Sequence, residues 1–206
     1  MSMSLKAQYA KWLWALASAD LILILAFLVP GIPSGASLAE LGNWRLITTV
    51  VIPVVVMLVV NVLPHSVKAM LVYWKPLDWL PGSEAFTRYG PMDSCVSMQA
   101  LKDKVGDLPK EPKDQNAKWY QLYKPVQGEP EIAESQKAYL MYRDMAVLSI
   151  PFIVAAPICL YAAGASAGAQ WLGAGIFFVQ YLLTAVSGRH SGIRFVTNVL
   201  AVQSAR

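Results

Sequence analysis

The most costly residue in the sequence is Asp20, an acid inside the apolar segment 12–30. It follows Lys11 by nine residues, so a helical rise of about 1.5 Å per residue would put its carboxyl roughly 14 Å into a lipid layer. At that depth an acidic side chain costs about 2.5–3.5 kcal/mol, and a hydrogen-bond partner offsets part of the cost. Gln180 lies at a similar depth in the apolar segment 171–187, and its amide could donate to Asp20.

These intramembrane polar groups allow two interpretations. Asp20 could carry a proton or cation along a conduction path, or it could hold two helices together through Gln180. We favour helix packing, because a pump or ion-coupled carrier usually has several ionisable groups in its spans and this chain has one. Asn61, near the end of the apolar segment 46–64, is a third polar candidate and a weaker partner for Asp20.

Basic residues beside the apolar segments could contact an anionic lipid headgroup or another phosphate. Arg189, His190 and Arg194 lie in the run RHSGIR just after the last apolar segment, and Lys68 closely follows the second one. Guanidinium groups match phosphate oxygens, and the glycine in this run lets a ligand approach the backbone. The alternative, which we favour, is a cationic anchor that keeps this flank on the cytoplasmic side.

The sequence carries no recognisable catalytic, cofactor or metal motif. His65 and His190 are the only histidines, and neither has with Cys95 or Asp93 the close spacing typical of zinc ligands. Nucleotide-binding and hydrolase patterns are missing as well. We therefore expect no enzymatic activity, no cofactor and no metal.

A candidate surface for a partner or ligand combines the turn-rich stretch 80–93 with the aromatic stretch QNAKWYQLYK at 115–124. Ordered loops on a small domain often carry recognition. We single out six residues of these stretches: Arg88, Tyr89, Asp93, Trp119, Tyr120 and Tyr123. Packing is the alternative, because Trp119 and Tyr123 would share one side of a helix.

The elements that must position these residues are apolar helices. With 56% hydrophobic residues, 15% charged residues and a mean hydropathy of +0.44, the chain is too apolar for an ordinary soluble domain. Four nearly uncharged segments are about long enough to cross ~30 Å of hydrocarbon as helices: 12–30, 46–64, 145–163 and 171–187. We predict an all-α, integral multi-pass membrane protein with four transmembrane helices arranged as two hairpins.

The distribution of basic residues predicts the orientation of these helices. Of the 17 Lys and Arg residues, eleven lie between the second and third apolar segments, and only Arg45 falls in the opposite compartment. Because basic flanks stay inside, we predict that both termini and residues 65–143 are cytoplasmic, in a bacterial inner membrane. A cleaved signal peptide is the alternative for the first apolar segment, although Trp12 and Trp14 fit a retained helix better.

Four regions follow from this topology. They are a first hairpin at 1–64, a cytoplasmic insert at 65–143, a second hairpin at 144–188 and a cytoplasmic amphipathic tail at 189–206.

Within the insert, regularly spaced prolines predict short helices and turns. We place helices at 97–105 and 114–124, with ordered loops at 80–93. Residues 64–74 would prolong the second apolar helix past a kink, and a helix at 131–144 would run into the third span.

Because most of the polar sequence lies on one face, we expect a non-enzymatic protein whose cytoplasmic domain binds a partner or signal and couples it to the membrane. This covers a sensor or effector of a signalling or defence system and an assembly subunit. The expected partners are the lipid bilayer, further copies of the chain or a larger membrane complex, and a cytoplasmic protein or small signal. An oligomeric channel or pore and a membrane enzyme acting on a lipid substrate are the alternatives. Nucleic acid is disfavoured, since residues 65–143 hold eleven basic and ten acidic residues rather than a basic field.

Overall fold

The computed structural model describes five ranges of the chain: 5–28, 58, 61–78, 80–162 and 164–206. In the first of these ranges it describes the side chains of residues 7–23. Every regular element in these ranges is helical, and none of them forms a β-strand. The predicted all-α class is thus confirmed for this part of the chain. The predicted apolar helix 46–64 lies almost wholly outside it.

Six helices of eight residues or more follow one another in the described ranges. They are α1 (Leu5–Leu28), α2 (His65–Tyr73), α3 (Met98–Val105), α4 (Pro112–Tyr123), α5 (Pro130–Ala162) and α6 (Ala167–Ser204). Shorter helical turns cover Pro81–Glu84, Ala85–Tyr89, Gly90–Met92 and Lys124–Val126. Among the described helices, α5 and α6 are long and apolar enough to cross a membrane.

The chain divides into two compact units. Unit 1 comprises residues 1–64 and 144–185, and unit 2 comprises residues 65–143 and 186–206. Helices α5 and α6 each contribute residues to both units.

The core of unit 1 is small and aromatic. Ala156 and Phe177 are buried at its centre, and Leu23, Phe152 and Ile153 pack against them. The rings of Phe152 and Phe177 stack with their centroids 5.4 Å apart. This arrangement joins residues of α1, α5 and α6 in one apolar cluster.

The core of unit 2 is formed around the last turns of α6. Val196, Val199 and Leu200 of this helix are fully buried. Phe195 meets the ring of Trp119 edge-on at 5.1 Å, and the indole Nε1 donates to the carbonyl of Val196 at 3.4 Å. The end of α6 is therefore a central element of unit 2.

Two predictions about local structure were wrong. The amphipathic tail predicted at 189–206 is not a separate element, because α6 continues without a break to Ser204. The stretch 80–93 forms helical turns instead of loops. In the stretch 64–74, α2 begins at His65, directly after Pro64; most of the helix that this stretch was predicted to prolong lies outside the described residues.

Two glycines allow α6 to lie close to its neighbours in unit 2. A Cβ at Gly188 would come within 3.2 Å of Val72 and 3.3 Å of the backbone nitrogen of Arg143. A Cβ at Gly192 would lie 2.1 Å from the hydroxyl of Tyr73 and 3.0 Å from the ring of Tyr139. Since these distances are shorter than van der Waals contacts, a side chain at Gly192 would force the neighbouring elements apart.

Replacement of Gly192 by alanine tests this close packing. We expect Gly192→Ala to lower the free energy of unfolding by about 1–3 kcal/mol, because an added methyl group overpacks a filled space. The measurement is thermal unfolding in a mild detergent, followed by circular dichroism. Gly175→Ala is the matched control, because nothing lies within 4 Å of a Cβ at this position of the same helix. An unchanged unfolding midpoint for Gly192→Ala would show that α6 does not pack this closely.

Candidate functional site

A cleft of about 370 Å³ in unit 2 brings together several of the predicted binding residues. We call it the Arg88 cleft. One side is lined by Arg88, Tyr89, Met92, Asp93 and Ser94, and the other side by Ile193, Arg194 and Thr197 of α6. Arg88, Tyr89 and Asp93, which were predicted to bind a partner, thus line the same cleft as Arg194, which was predicted to contact a phosphate.

The buried amide of Gln115 holds the helical turn that carries Arg88. Its Oε1 accepts hydrogen bonds from the backbone N–H groups of Phe86, at 3.0 Å, and Thr87, at 3.2 Å. Its Nε2 donates to the carbonyl of Lys110 at 2.7 Å. Because Gln115 lies at a buried position of α4, one side chain fixes the backbone immediately before the first cleft residue.

Glu84 is the hub of a polar network beside the Arg88 cleft. Its carboxylate accepts from Lys75 Nζ at 2.6 Å and from Arg88 at 3.3 Å, and it also hydrogen-bonds the hydroxyl of Tyr89. Burial raises the pKa of Glu84, but the hydrogen bonds from Lys75 and Tyr89 and the nearby positive charges together hold it below its usual range. Glu84 is therefore an ionised group that orients two cleft residues.

Tyr89 is a neutral polar group in the wall of the cleft. Burial, its hydrogen bond to Glu84 and the negative charge of that carboxylate raise the pKa of Tyr89 to about 12. The guanidinium groups of Arg88 and Arg189 act in the opposite direction. Arg189 is therefore close enough to act electrostatically on the cleft wall.

Two arginines of α6 carry charge that no carboxylate balances directly. Arg194 is exposed and Arg189 is half-buried. In the part of the chain that the structure describes, neither forms an ion pair, whereas Arg88 pairs with Glu84 and Arg206 pairs with Glu129.

Arg194 also lines a second cleft in unit 2, of about 440 Å³, which the sequence reasoning missed. Its lining comes from α5, with Glu131, Glu134, Ser135 and Ala138, and from α6, with Ser191, Arg194 and Asn198. The amide of Asn198 donates to the carbonyl of Glu131 at 3.3 Å. Polar residues at helical spacing on both helices were the signal that could have found this cleft.

The aromatic stretch 115–124 belongs mainly to the core, so Trp119 and Tyr123 are corrections to the predicted partner surface. Both side chains are buried, their rings stack at 5.7 Å, and Phe195 packs edge-on against each of them. Their spacing of four residues puts them on the buried face of α4. Tyr120 projects outward and remains accessible, with Lys124 5.0 Å from its ring centroid.

The predicted phosphate contacts have different surroundings. His190 is exposed, like Arg194. Lys68 is buried, which corrects its assignment to an accessible basic flank. The buried face of α2 includes Lys68, Ala69, Val72 and Tyr73, of which Val72 lies beside Gly188 and Tyr73 beside Gly192 of α6.

Asp20 and Gln180 meet inside unit 1, as their similar depths predicted. Asp20 is buried, and Gln180 Nε2 donates to its Oδ2 at 3.0 Å and to Ser149 Oγ at 3.1 Å. The sequence reasoning missed Ser149, because a serine in an apolar helix is unremarkable by itself. Asn61 is exposed in the described structure.

The chemistry available in the Arg88 cleft is recognition of charge and hydrogen-bonding groups. Guanidinium groups, hydroxyls and one carboxylate line it. In the described ranges, no three His, Cys, Asp or Glu residues lie together in a way that could hold a metal ion.

Comparison of the chain with protein-family models, with curated proteins and with solved structures finds no significant match. Its class and function are therefore inferred from the residues themselves.

Substitution of Gln115 tests whether this amide holds the cleft wall. We expect Gln115→Met to lower the free energy of unfolding by roughly 2–4 kcal/mol, because it leaves buried N–H and C=O groups unpaired. Thermal unfolding in a mild detergent measures the change. Gln121→Met is the matched control, since Gln121 is an exposed glutamine of the same helix. Equal midpoints for the two variants would contradict this role.

Proposed function

We propose that this chain is a multi-pass membrane protein without enzymatic activity. Unit 2 would face the cytoplasm, bind a partner or signal in the Arg88 cleft and couple it to the membrane helices. The topology is the one that the basic residues predict, with both termini inside.

The observation that carries this proposal is the distribution of polarity in unit 1. Large apolar side chains of α5 and α6 are exposed on its surface: Val154, Ile158, Tyr161, Trp171, Leu172, Phe178, Val179 and Leu183. The acid Asp20 and the hydroxyl of Ser149 are buried. A soluble domain would bury such apolar groups and expose its acids, whereas a lipid-facing bundle turns polar groups inward.

Length and composition support the same class. Helices α5 and α6 can each cross the hydrocarbon layer of a membrane. α1 adds 24 helical residues that contain the apolar run after Asp20.

Unit 2 has the opposite character, and this supports a binding role. It buries an aromatic and aliphatic core around Trp119, Phe195 and Leu200, and its open clefts are lined by charged and polar groups. Such a domain can present a defined polar surface to a cytoplasmic partner. A sensor, an effector and an assembly subunit all require such a surface.

The contacts of Asp20 give a channel less support than helix packing. Gln180 donates to this carboxyl and to Ser149, so three side chains of different helices are tied together. A conducting acid would instead need access to water along a path.

A photo-crosslinking amino acid placed at Met92 tests the binding role in membranes of the cells in which the protein occurs. Met92 lines the Arg88 cleft and is 77% exposed. We expect a specific adduct at this position, detected as a defined shift in mass. The same amino acid at Gln121, an exposed position outside the cleft, is the control. Identical background labelling at both positions would contradict a binding function for the cleft.

A further inference from the structure

We infer that the Arg88 cleft binds a phosphate group, carried either by a lipid headgroup or by a soluble ligand. This inference rests on the proposed function, because it names the chemistry of the ligand in the same cleft. Three observations support it. The fold brings two arginines into one cleft, only one of these arginines has a carboxylate partner, and the cleft is large enough for an organic phosphate.

Two guanidinium groups from distant parts of the sequence line the same cleft. Arg88 belongs to the turn Ala85–Tyr89, and Arg194 belongs to α6. Each guanidinium presents several N–H donors in one plane, which matches the oxygens of a phosphate in a bidentate arrangement. Glu84 holds Arg88 through one nitrogen, Nη1, which leaves further N–H donors of this group available.

The charged groups that line the Arg88 cleft are two arginines, Arg88 and Arg194, and one acid, Asp93. Arg88 shares the carboxylate of Glu84 with Lys75, so two cations divide one anion. Arg189 and Arg194 form no ion pair within the described ranges. A bound anion would balance the excess of positive charge in this lining, and a divalent phosphate would do so better than a single carboxylate.

Asp93 is the one acid in the lining of the cleft. Its removal should change the affinity for phosphate in the direction opposite to the removal of an arginine. One oxygen of Asp93, Oδ1, accepts a hydrogen bond from the backbone N–H of Cys95 at 3.0 Å. This bond ties the carboxylate to its own turn. The negative charge still opposes an anion in the cleft, so its removal should strengthen phosphate binding.

The remaining lining suits an organic phosphate. Met92 and Ile193 offer apolar contact, and Ser94 offers an exposed hydroxyl. A volume of about 370 Å³ lies in the range of small-molecule sites and exceeds what a bare phosphate needs. The neighbouring cleft is less suited to an anion, because Glu131 and Glu134 line it beside Arg194.

The first test uses the full-length protein in a detergent with a sugar headgroup and in phosphate-free buffer. Pyrophosphate is the probe, and calorimetric titration measures its dissociation constant. We expect Arg194→Gln to raise this constant about tenfold or more, because it removes charged hydrogen bonds. We expect Asp93→Asn to lower it. Arg206→Gln removes an arginine next to the same helix but outside the cleft, and should change it less than about twofold.

Opposite effects of Arg194→Gln and Asp93→Asn separate a binding role from a change in folding, because a loss of structure would weaken binding in both variants. Unfolding midpoints of the variants provide an independent check of the fold. No detectable pyrophosphate binding by the unsubstituted protein, or equal affinities of Arg194→Gln and Arg206→Gln, would overturn the inference.

A second experiment distinguishes a phosphate on a lipid headgroup from a phosphate on a soluble ligand. Native mass spectrometry counts the lipids that the protein retains when it is supplied with equal amounts of phosphatidylglycerol and a galactosyl diacylglycerol, which lacks phosphate. A headgroup ligand predicts preferential retention of phosphatidylglycerol, its loss in Arg194→Gln and its displacement by pyrophosphate. A soluble ligand predicts pyrophosphate binding without this lipid preference.

The phosphate inference and the proposed function can fail separately. If pyrophosphate and phosphatidylglycerol both fail to bind but crosslinking at Met92 still gives a specific adduct, only the phosphate chemistry is wrong. If the adduct is missing as well, the cleft has no binding role.

Discussion

Unit 1 buries two acids, and each accepts a hydrogen bond: Tyr9 donates to Asp144, and Gln180 donates to Asp20. Asp20 is 2% exposed, and the amide of Gln180 joins its carboxyl to the hydroxyl of Ser149. A buried carboxyl without such a donor would carry an uncompensated desolvation cost. Large apolar side chains of α5 and α6 are exposed on the described surface of this unit, whereas its acids Asp20 and Asp144 are buried. This inversion is the physical basis for the proposed membrane location.

Unit 2 buries an aromatic and aliphatic core and has charged groups at its surface, and its close packing forms the candidate site. The last turns of α6 are surrounded by aromatic side chains, and Gly192 lets Tyr73 and Tyr139 approach this helix. The buried amide of Gln115 holds the turn that carries Arg88. With the helix and the turn both held in place, Arg194 and Arg88 line one cleft although they lie far apart in the sequence.

Local sequence patterns predicted where the helices lie better than they predicted which side chains of different helices meet. The helices placed at 97–105 and 114–124 agree with α3 and α4 within two residues, and the helix at 131–144 does run on into the apolar segment after it, as α5. The pairing of Asp20 with Gln180 followed from depth alone. The close approach of Val72 and Tyr73 of α2 to Gly188 and Gly192 could not be predicted, because these glycines of α6 are distant in the sequence. Likewise, the stripe of Trp119 and Tyr123 did not reveal that Phe195 covers it.

The central claim is that the apolar surface of unit 1 lies in lipid while unit 2 faces the cytoplasm. The two cysteines test it directly, because Cys95 of unit 2 and Cys159 of α5 both have exposed side chains. The measurement is labelling of the single-cysteine variants Cys159→Ser and Cys95→Ser with a membrane-impermeant maleimide. We predict that Cys95 is labelled in inverted vesicles and not in intact cells, and that Cys159 is protected in both until detergent is added. Labelling of Cys95 from outside intact cells, or equal labelling of Cys159 and Cys95 without detergent, would contradict the account.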